Sequence, residues 1–356
     1  MTIEAIQKLI SANSTRVAKI EEQKKYAGGY NSAILGRKAH EEPDNRIPIP
    51  IARKGIRLVT GYMAKPGNIV YSDDAKYVED ILQPIFDLND EQLTTQEELE
   101  SALMHGDTWE YHYTKDSKFR FVEVPAGQCV PVYDDDLPPK LIGMIRYYKH
   151  KEEDDSETKE IYYFDDSTMT KYIGKGDADP ILAPDIDGQA NPMRHGYKQV
   201  PFNQLKISRD CSNLFDCVIP LIDIHDRTIS EDWANELQRF ANSYLLLANR
   251  LSKELDESGL SEIDKVRITR SFEDLGENVK MKVDFLTKEI PGEFVKSATE
   301  LFEREIYDMM QIINPNEIAA TGEISGIALA YKLLQFEYYV ASIEAYFSRG
   351  LQKRIM

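Results

Sequence analysis

The chain has 356 residues, 42% of them hydrophobic and 10% aromatic. That is enough apolar material for two or three packed units, and it excludes a disordered protein. The formal net charge is −18 with no long Lys/Arg block, so the chain lacks the basic face with which proteins grip nucleic acid by its phosphates; the charge serves solubility or, in a sharper reading, repels a polyanion.

The three cysteines (Cys129, Cys211, Cys217) have no CxxC spacing and fit buried thiols in a reducing compartment better than disulfides. The N-terminal MTIEAIQKLI mixes polar and acidic residues into its apolar pattern and is no signal peptide. No run of about 18 apolar residues predicts a membrane span. A cytoplasmic protein, or one assembled there, is expected.

In chain order, residues 2–26 predict one amphipathic helix through Ile3, Ile6, Ile10, Val17 and Ile20, ended by Gly28-Gly29. Pro43-Asp44-Asn45-Arg46-Ile47-Pro48 is turn-rich, Ile51–Thr60 reads as a helix, and Asn68–Tyr71 as a short strand. Two helices follow, one marked by Tyr77, Ile81 and Ile85, the other by Leu99, Ala102 and Leu103 and stopped at Gly106. Thr108–Tyr113 alternates with period 2, and Phe119–Val124, Gly143–Tyr148 and Ile161–Phe164 are further strands. The acidic run Glu152–Glu157 reads as a solvated hairpin tip and residues 174–196 as a loop. Residues 1–205 thus predict an α+β unit with an antiparallel meander.

From Leu214 the pattern changes. Ile229, Trp233, Leu237, Phe240 and Tyr244 form the stripe of a long helix, with Pro220 near its start. Residues 249–290 form a mixed inset, helical over Leu255–Val266 and strand-like over Val279–Phe285. A second helix runs from Phe294 through Ala298, Leu301, Ile306 and Met310 to Ile313. The stretch from Asn314 to Phe336, NPNEIAATGEISGIALAYKLLQF, opens as a polar Gly-containing loop that carries Glu317 and Glu323 but no Lys or Arg. Ser325 offers a cap to a third helix striped by Ile327, Ala330, Leu334, Val340, Phe347 and Leu351. Helix, inset, helix, loop, helix leaves wide apolar faces that one chain does not obviously cover; copies of the same chain in a ring would cover them.

Six stretches, in order, resemble the siphovirus-type portal proteins of tailed bacteriophages. They are Lys25-Tyr26 to Leu35; Pro43–Ile47 with Gly61–Pro66; Glu98–Thr114; Val200-Pro201-Phe202 leading to Leu214-Phe215; Ala234–Leu237 with Phe240-Ala241; and Ser325–Leu334. The resemblance implies a portal-like α+β fold: an α/β wing (1–210), a first stem helix (211–245), a small α/β clip (246–290), a second stem helix (291–313), a tunnel loop (314–325) and a long helix toward the crown (326–356). Where the family continues into a helical crown this sequence stops at Met356, so a short or absent crown is expected.

By the same resemblance the protein forms a ring, a dodecamer, at the portal vertex of the virion. It passes double-stranded DNA non-specifically during packaging and ejection. Its partners are the large terminase, capsid and head-completion proteins; no cofactor, metal or membrane is implied. Leu255, Leu260, Val266, Phe272, Met281 and Phe285 of the clip are the expected partner contacts. Asn314, Asn316, Glu317, Thr321, Glu323 and Ser325 are the expected DNA-facing loop residues, with Lys296, Arg304 and Lys332 as further lumen contacts or, more simply, surface ion pairs. A cationic loop would bind phosphates and release counterions; an anionic one favours sliding.

Enzyme readings have less support. Asp134-Asp135-Asp136 and Asp165-Asp166 are paired carboxylates that a metal-dependent phosphodiesterase would use, though acidic hairpin tips are the commoner arrangement. His105 and His112 have no nucleophile to serve, and HExxH, GxxxxGK[ST] and GxSxG are absent. No ATP site is predicted, so packaging energy would come from a separate motor. Trp109, Tyr111 and Tyr113 lack interleaved Lys/Arg and read as sheet core rather than a base-stacking platform. The alternatives kept are the phosphodiesterase and another ring-shaped connector.

Overall fold

A computed structural model describes residues 1–38, 43–72, 76–151, 157–176, 178–241, 244–248, 282–286, 292–314 and 326–355. The chain divides into two units, one of Met1–Arg37, Pro48–Ile224 and Phe302–Met356, the other of Lys38–Ile47 and His225–Leu301. Among the described residues no helix is long and apolar enough to cross a membrane.

In the first unit the expected single N-terminal helix is two, α1 (Ile3–Ala12) and α2 (Ser14–Gly28). The break at Asn13 falls in Ser11-Ala12-Asn13-Ser14-Thr15, where short polar side chains compete with the helical ladder. A four-residue helix α3 (Ser32–Leu35) follows. Helix α4 (Ile51–Met63) buries Ile51, Ile56, Val59 and Met63 on one face. Residues 68–71 form no ladder, contrary to the expected strand.

A wide π-helical turn, Val78–Leu82, leads into α5 (Gln83–Leu88). The extra residue in that turn rotates the helix phase, so Leu82 and Phe86 are buried while Tyr77 and Ile81 of the expected stripe are exposed. Helix α6 (Glu91–His105) ends at Gly106, whose φ of +90° and close approach to the Cys211 carbonyl leave no room for a Cβ.

The strands are β1 (Asp107–Lys115), β2 (Lys118–Val124), β3 (Cys129–Tyr133), β4 (Leu141–Lys151), β5 (Glu157–Phe164) and β6 (Thr168–Lys175). After them come four two-residue strands, β7 (Ile181–Leu182), β8 (Asp185–Ile186), β9 (Gln189–Ala190) and β10 (Met193–Arg194), and then β11 (Phe202–Lys206). One sheet has the order β11-β1-β2; the other runs β10-β6-β5-β4-β3 with β7 also on β6. The expected meander of β1, β2, β4 and β5 is divided between the two sheets: β1 pairs antiparallel with β2 in one, and β4 with β5 in the other. Strands β3, β6 and β11 carry weaker alternation and were not expected from sequence. The pair Lys151↔Glu157 brackets the acidic run, whose centre, 152–156, lies outside the described residues.

Trp109 is fully buried with Val124, Cys129, Met144 and Phe202, so it belongs to the sheet core as expected. Helix α1 lays Ile6 on Val130, Ile145 and Ile161 of the larger sheet.

Helix α7 (Ile219–Arg227) has Pro220 in its first turn and continues through a π-helical stretch, Thr228–Asn235, into α8 (Glu236–Ala241). Tyr244 does not extend this helix; it opens β12 (Tyr244–Ala248), which pairs antiparallel with β13 (Lys282–Leu286). The expected inset strand is thus found in part, while the expected helix Leu255–Val266 lies outside the described residues. Helix α9 (Gly292–Met309) stops short of Ile313 because the chain reverses at Gln311, where φ is +56° and the Ile312 N–H returns to the Tyr307 carbonyl.

Helix α10 (Gly326–Arg354) buries Phe336, Val340, Ile343, Phe347 and Leu351 at steps of three and four. Ala330 and Leu334 of the expected stripe are exposed instead. Gly350 allows the helix to close on β11, where a Cβ would meet Leu205 Cγ at 3.0 Å.

Candidate functional site

The site begins with the two ends of the loop 314–325. Asn314 is half-buried; Asn316, Glu317, Thr321, Glu323 and Ser325 lie outside the described residues. Before the loop, Ile306, Tyr307, Met310 and Ile312 are buried; after it, Phe336, Val340 and Ile343 are. All belong to one core with α4 and α6. Gly55 of α4 is the seat for the approach side, since a Cβ there would lie 2.9 Å from Ile312 Cδ1. Tyr62 of the same helix meets the Phe336 ring edge-on at 5.0 Å. The segments on either side of the loop therefore both touch one helix, through Ile312 and Phe336.

The expected cationic contacts are modest. Lys296 lies 4.0 Å from Glu300 and Arg304 3.5 Å from Glu305, all on the exposed face of α9. Exposed pairs of this kind contribute about 0–1 kcal/mol. Lys332 lies in the second turn of α10, where only its backbone is described. Of the expected clip contacts, Phe285 sits on β13 opposite Leu245 of β12; Leu255, Leu260, Val266, Phe272 and Met281 lie outside the described residues.

Within the second unit the turn-rich segment at Pro43–Ile47 is a clasp on the helix that follows α7. The backbone N–H and side-chain amide of Asn45 donate to Asn235 Oδ1 at 2.7 and 3.0 Å, and the amide also donates to Gln238 Oε1 at 2.8 Å. The Ile47 N–H donates to Ser230 Oγ at 3.0 Å, and the Ser230 hydroxyl donates to the Asp226 carbonyl. Beside the clasp, Ile229, Trp233, Gly292, Val295 and Thr299 line an open groove of about 590 Å³. Trp233 remains 42% exposed there, and Leu237 and Phe294 are exposed as well. Large apolar side chains left in water mark an interaction face.

The paired aspartates serve turns. Asp134 Oδ1 accepts the Lys140 N–H at 2.7 Å. Asp165 accepts the N–H groups of Ser167 and Thr168 at 2.8 and 2.6 Å. Burial raises the Asp165 pKa, but those N–H groups outweigh it and hold the carboxyl below its usual range. Among the described residues no group of three or more His, Cys, Asp or Glu is arranged to hold a metal ion. His105 faces Gln23 Oε1 at 3.1 Å, and burial and then Lys24 depress its pKa to about 4.

One cluster had no sequence signal. Arg354, in the last turn of α10, is 5% exposed. Its Nε donates to Glu110 Oε2 at 2.6 Å, and its Nη1 to Glu91 Oε1 at 2.9 Å and Thr95 Oγ1 at 2.8 Å. Its Nη2 donates to Glu98 Oε2. The Phe121 ring lies 4.5 Å beneath the guanidinium. Burial pushes the Glu98 carboxyl well above its usual range despite Arg354, and its Oε1 has no hydrogen-bond partner, as suits a neutral acid better than a carboxylate. Burial acts on Glu110 as well, but the His112 N–H at 2.6 Å and Arg354 outweigh it and keep that carboxyl low. One proton and one guanidinium thus balance the pair Glu98 and Glu110. The partners lie 244 to 263 residues apart, which no local pattern reports.

The family model of the phage portal proteins, SPP1 Gp6-like, matches residues 6–356. The portal protein of Clostridium phage phiCD119 is 23% identical over 383 aligned positions, covering 100% of this chain and 82% of that protein. A match over nearly the whole length takes in the loop 314–325, the clasped helix and the C-terminal helix together: the chain belongs to the SPP1 Gp6-like family of phage portal proteins.

Proposed function

We propose that this portal subunit works as one segment of a closed ring, twelve copies by family pattern, through which double-stranded DNA enters and leaves the phage head. The observation that carries this reading is that the chain before and after the loop 314–325 packs on α4 within one core, through Ile312 and Phe336. The loop 314–325 therefore joins two segments of that core. Its sequence holds two glutamates and no Lys or Arg, which favours sliding of a polyanion over binding it. The exposed Trp233, Leu237 and Phe294 of the second unit fit contacts with neighbouring copies. Lys296, Arg304 and Lys332 would face the lumen or neighbouring acids.

In this reading residues 1–210 form the wing, the helices around 211–245 and 291–313 the stem, and 246–290 the clip, which meets the terminase during packaging and head-completion proteins afterwards. The subunit has no catalytic residue or cofactor; the motor supplies the energy. Assembly takes place in the host cytoplasm, and the ring ends at the portal vertex of the virion.

Native mass spectrometry and negative-stain imaging test the ring: a closed oligomer is expected, and monomers at every salt and protein concentration would refute it. The substitutions Glu317→Lys and Glu323→Lys test the loop. The pair is expected to leave assembly intact and to slow or stall DNA passage, whereas packaging at the parent rate would make the loop's charge incidental.

A further inference from the structure

A further apolar feature lies in the first unit. Between the chain at 69–71, α5 and the start of α6 is an open groove of about 650 Å³. Its floor is Val70, Tyr71, Phe86 and Leu93, and its rim carries Asp87, Asp90 and Glu91. Val70 is 73% and Leu93 56% exposed, and Tyr77 and Ile81 stand exposed one turn away. The floor is held in place from below. The Tyr71 ring packs on Phe86 at 4.8 Å, and its hydroxyl donates to Glu91 Oε1 at 2.8 Å, the same oxygen that accepts from Arg354. Burial, and then the Glu91 charge, raises the Tyr71 pKa, so the phenol stays protonated and keeps donating.

The charged side chains that line the groove are Asp87, Asp90 and Glu91, of which Glu91 is paired with Arg354. Residues 78–100 contain eight acids (Glu79, Asp80, Asp87, Asp90, Glu91, Glu97, Glu98, Glu100) and no Lys or Arg. An apolar trough with an anionic rim matches an amphipathic helix that carries aliphatic or aromatic anchors on one face and Lys or Arg beside them. Nucleic acid and anionic lipid are repelled by the same rim.

We propose that this groove docks a cationic amphipathic helix of another protein, with Val70 and Leu93 supplying the apolar contact and Asp87 and Asp90 the charge.

A fluorescent Lys/Leu peptide of roughly 18 residues, with leucines at helical spacing, is the probe. It is compared with a scrambled peptide of the same composition and with its Glu/Leu counterpart, each titrated against the full chain. Binding is expected only for the first peptide, weakening as salt rises. Val70→Ser with Leu93→Ser, both at exposed positions, should weaken it by about tenfold or more. Asp87→Lys with Asp90→Asn should also weaken it and flatten the salt dependence; Asn is chosen at 90 because φ there is +47°. Equal binding of the scrambled peptide, or full affinity in the serine pair, would reduce the effect to bulk charge and overturn the proposal. Self-association of the chain that the serine pair abolishes would assign the groove to a second copy instead, and would equally overturn it.

Discussion

Replacing Arg354 with Met keeps most of the aliphatic volume and removes the charge that balances the buried carboxylates. Arg354 donates four hydrogen bonds, to Glu110, Glu91, Thr95 and Glu98. Glu91 retains some solvent exposure and can hydrate, and Glu98 already favours its proton, so the cost concentrates on Glu110. Breaking a buried pair from one side costs about 3–5 kcal/mol. Proton uptake caps that figure: protonating a carboxyl of ordinary pKa 4.5 at pH 7 costs about 3.4 kcal/mol. The variant should therefore lose about 3 kcal/mol at pH 7 and about 1 kcal/mol at pH 5, where the proton is cheaply taken up. Hydrogen exchange across the last two turns of α10 reads this directly, with amides expected to exchange roughly 300-fold faster at pH 7 when the comparison is corrected for intrinsic rates. Arg354→Lys should fall between, since an ammonium cannot reproduce the fork. A change under about threefold, or a loss of equal size at pH 5 and pH 7, would refute the account of the cluster.

Glu98→Gln mimics the neutral acid and should stay within about 1 kcal/mol of the parent at pH 7, whereas Glu110→Gln, which removes the carboxylate that Arg354 needs, should be clearly destabilised in chemical denaturation. Because the Glu98 pKa is raised by folding, its contribution is present below about 4.5 and is lost as pH rises; the glutamine variant should gain on the parent as the solution becomes alkaline. His105 has the opposite dependence. Its pKa of about 4 lies below the ordinary 6.5, so the stability it contributes is present above pH 6.5 and is lost as pH falls toward 4. That loss is on the order of 2–3 kcal/mol, and thermal denaturation of His105→Gln should show a shallower decline across the same window.

The cluster also bears on how the C-terminal helix is held. Helix α10 follows the loop directly and ends at Arg354, so the guanidinium sets where the far end of that helix rests on α6 and β1. The near end rests on α4 through Phe336 and Tyr62.

Much of the architecture was legible from local chemistry. Periodicity in the sequence located α4, α6, β1, β2, β4 and β5. Gly106 marked the end of α6 because only glycine fits the turn against Cys211. The order of six short stretches pointed to the portal family, and the match across residues 6–356 bears that out. Tertiary structure alone decided the rest. The π-helical turn at Val78–Leu82 moved the buried face from Tyr77 and Ile81 to Leu82 and Phe86, a phase shift that hydrophobicity does not report. The long helix gave way to β12 at Tyr244 because a strand partner some 40 residues later, β13, competes for the same backbone groups. The loop 314–325 was recognisable from its polar composition between helices. That Ile312 before it and Phe336 after it both rest on α4, and that its following helix is tied down by Arg354, depended on contacts spanning more than 200 residues, which burial and charge pairing decide only once the chain has closed on itself.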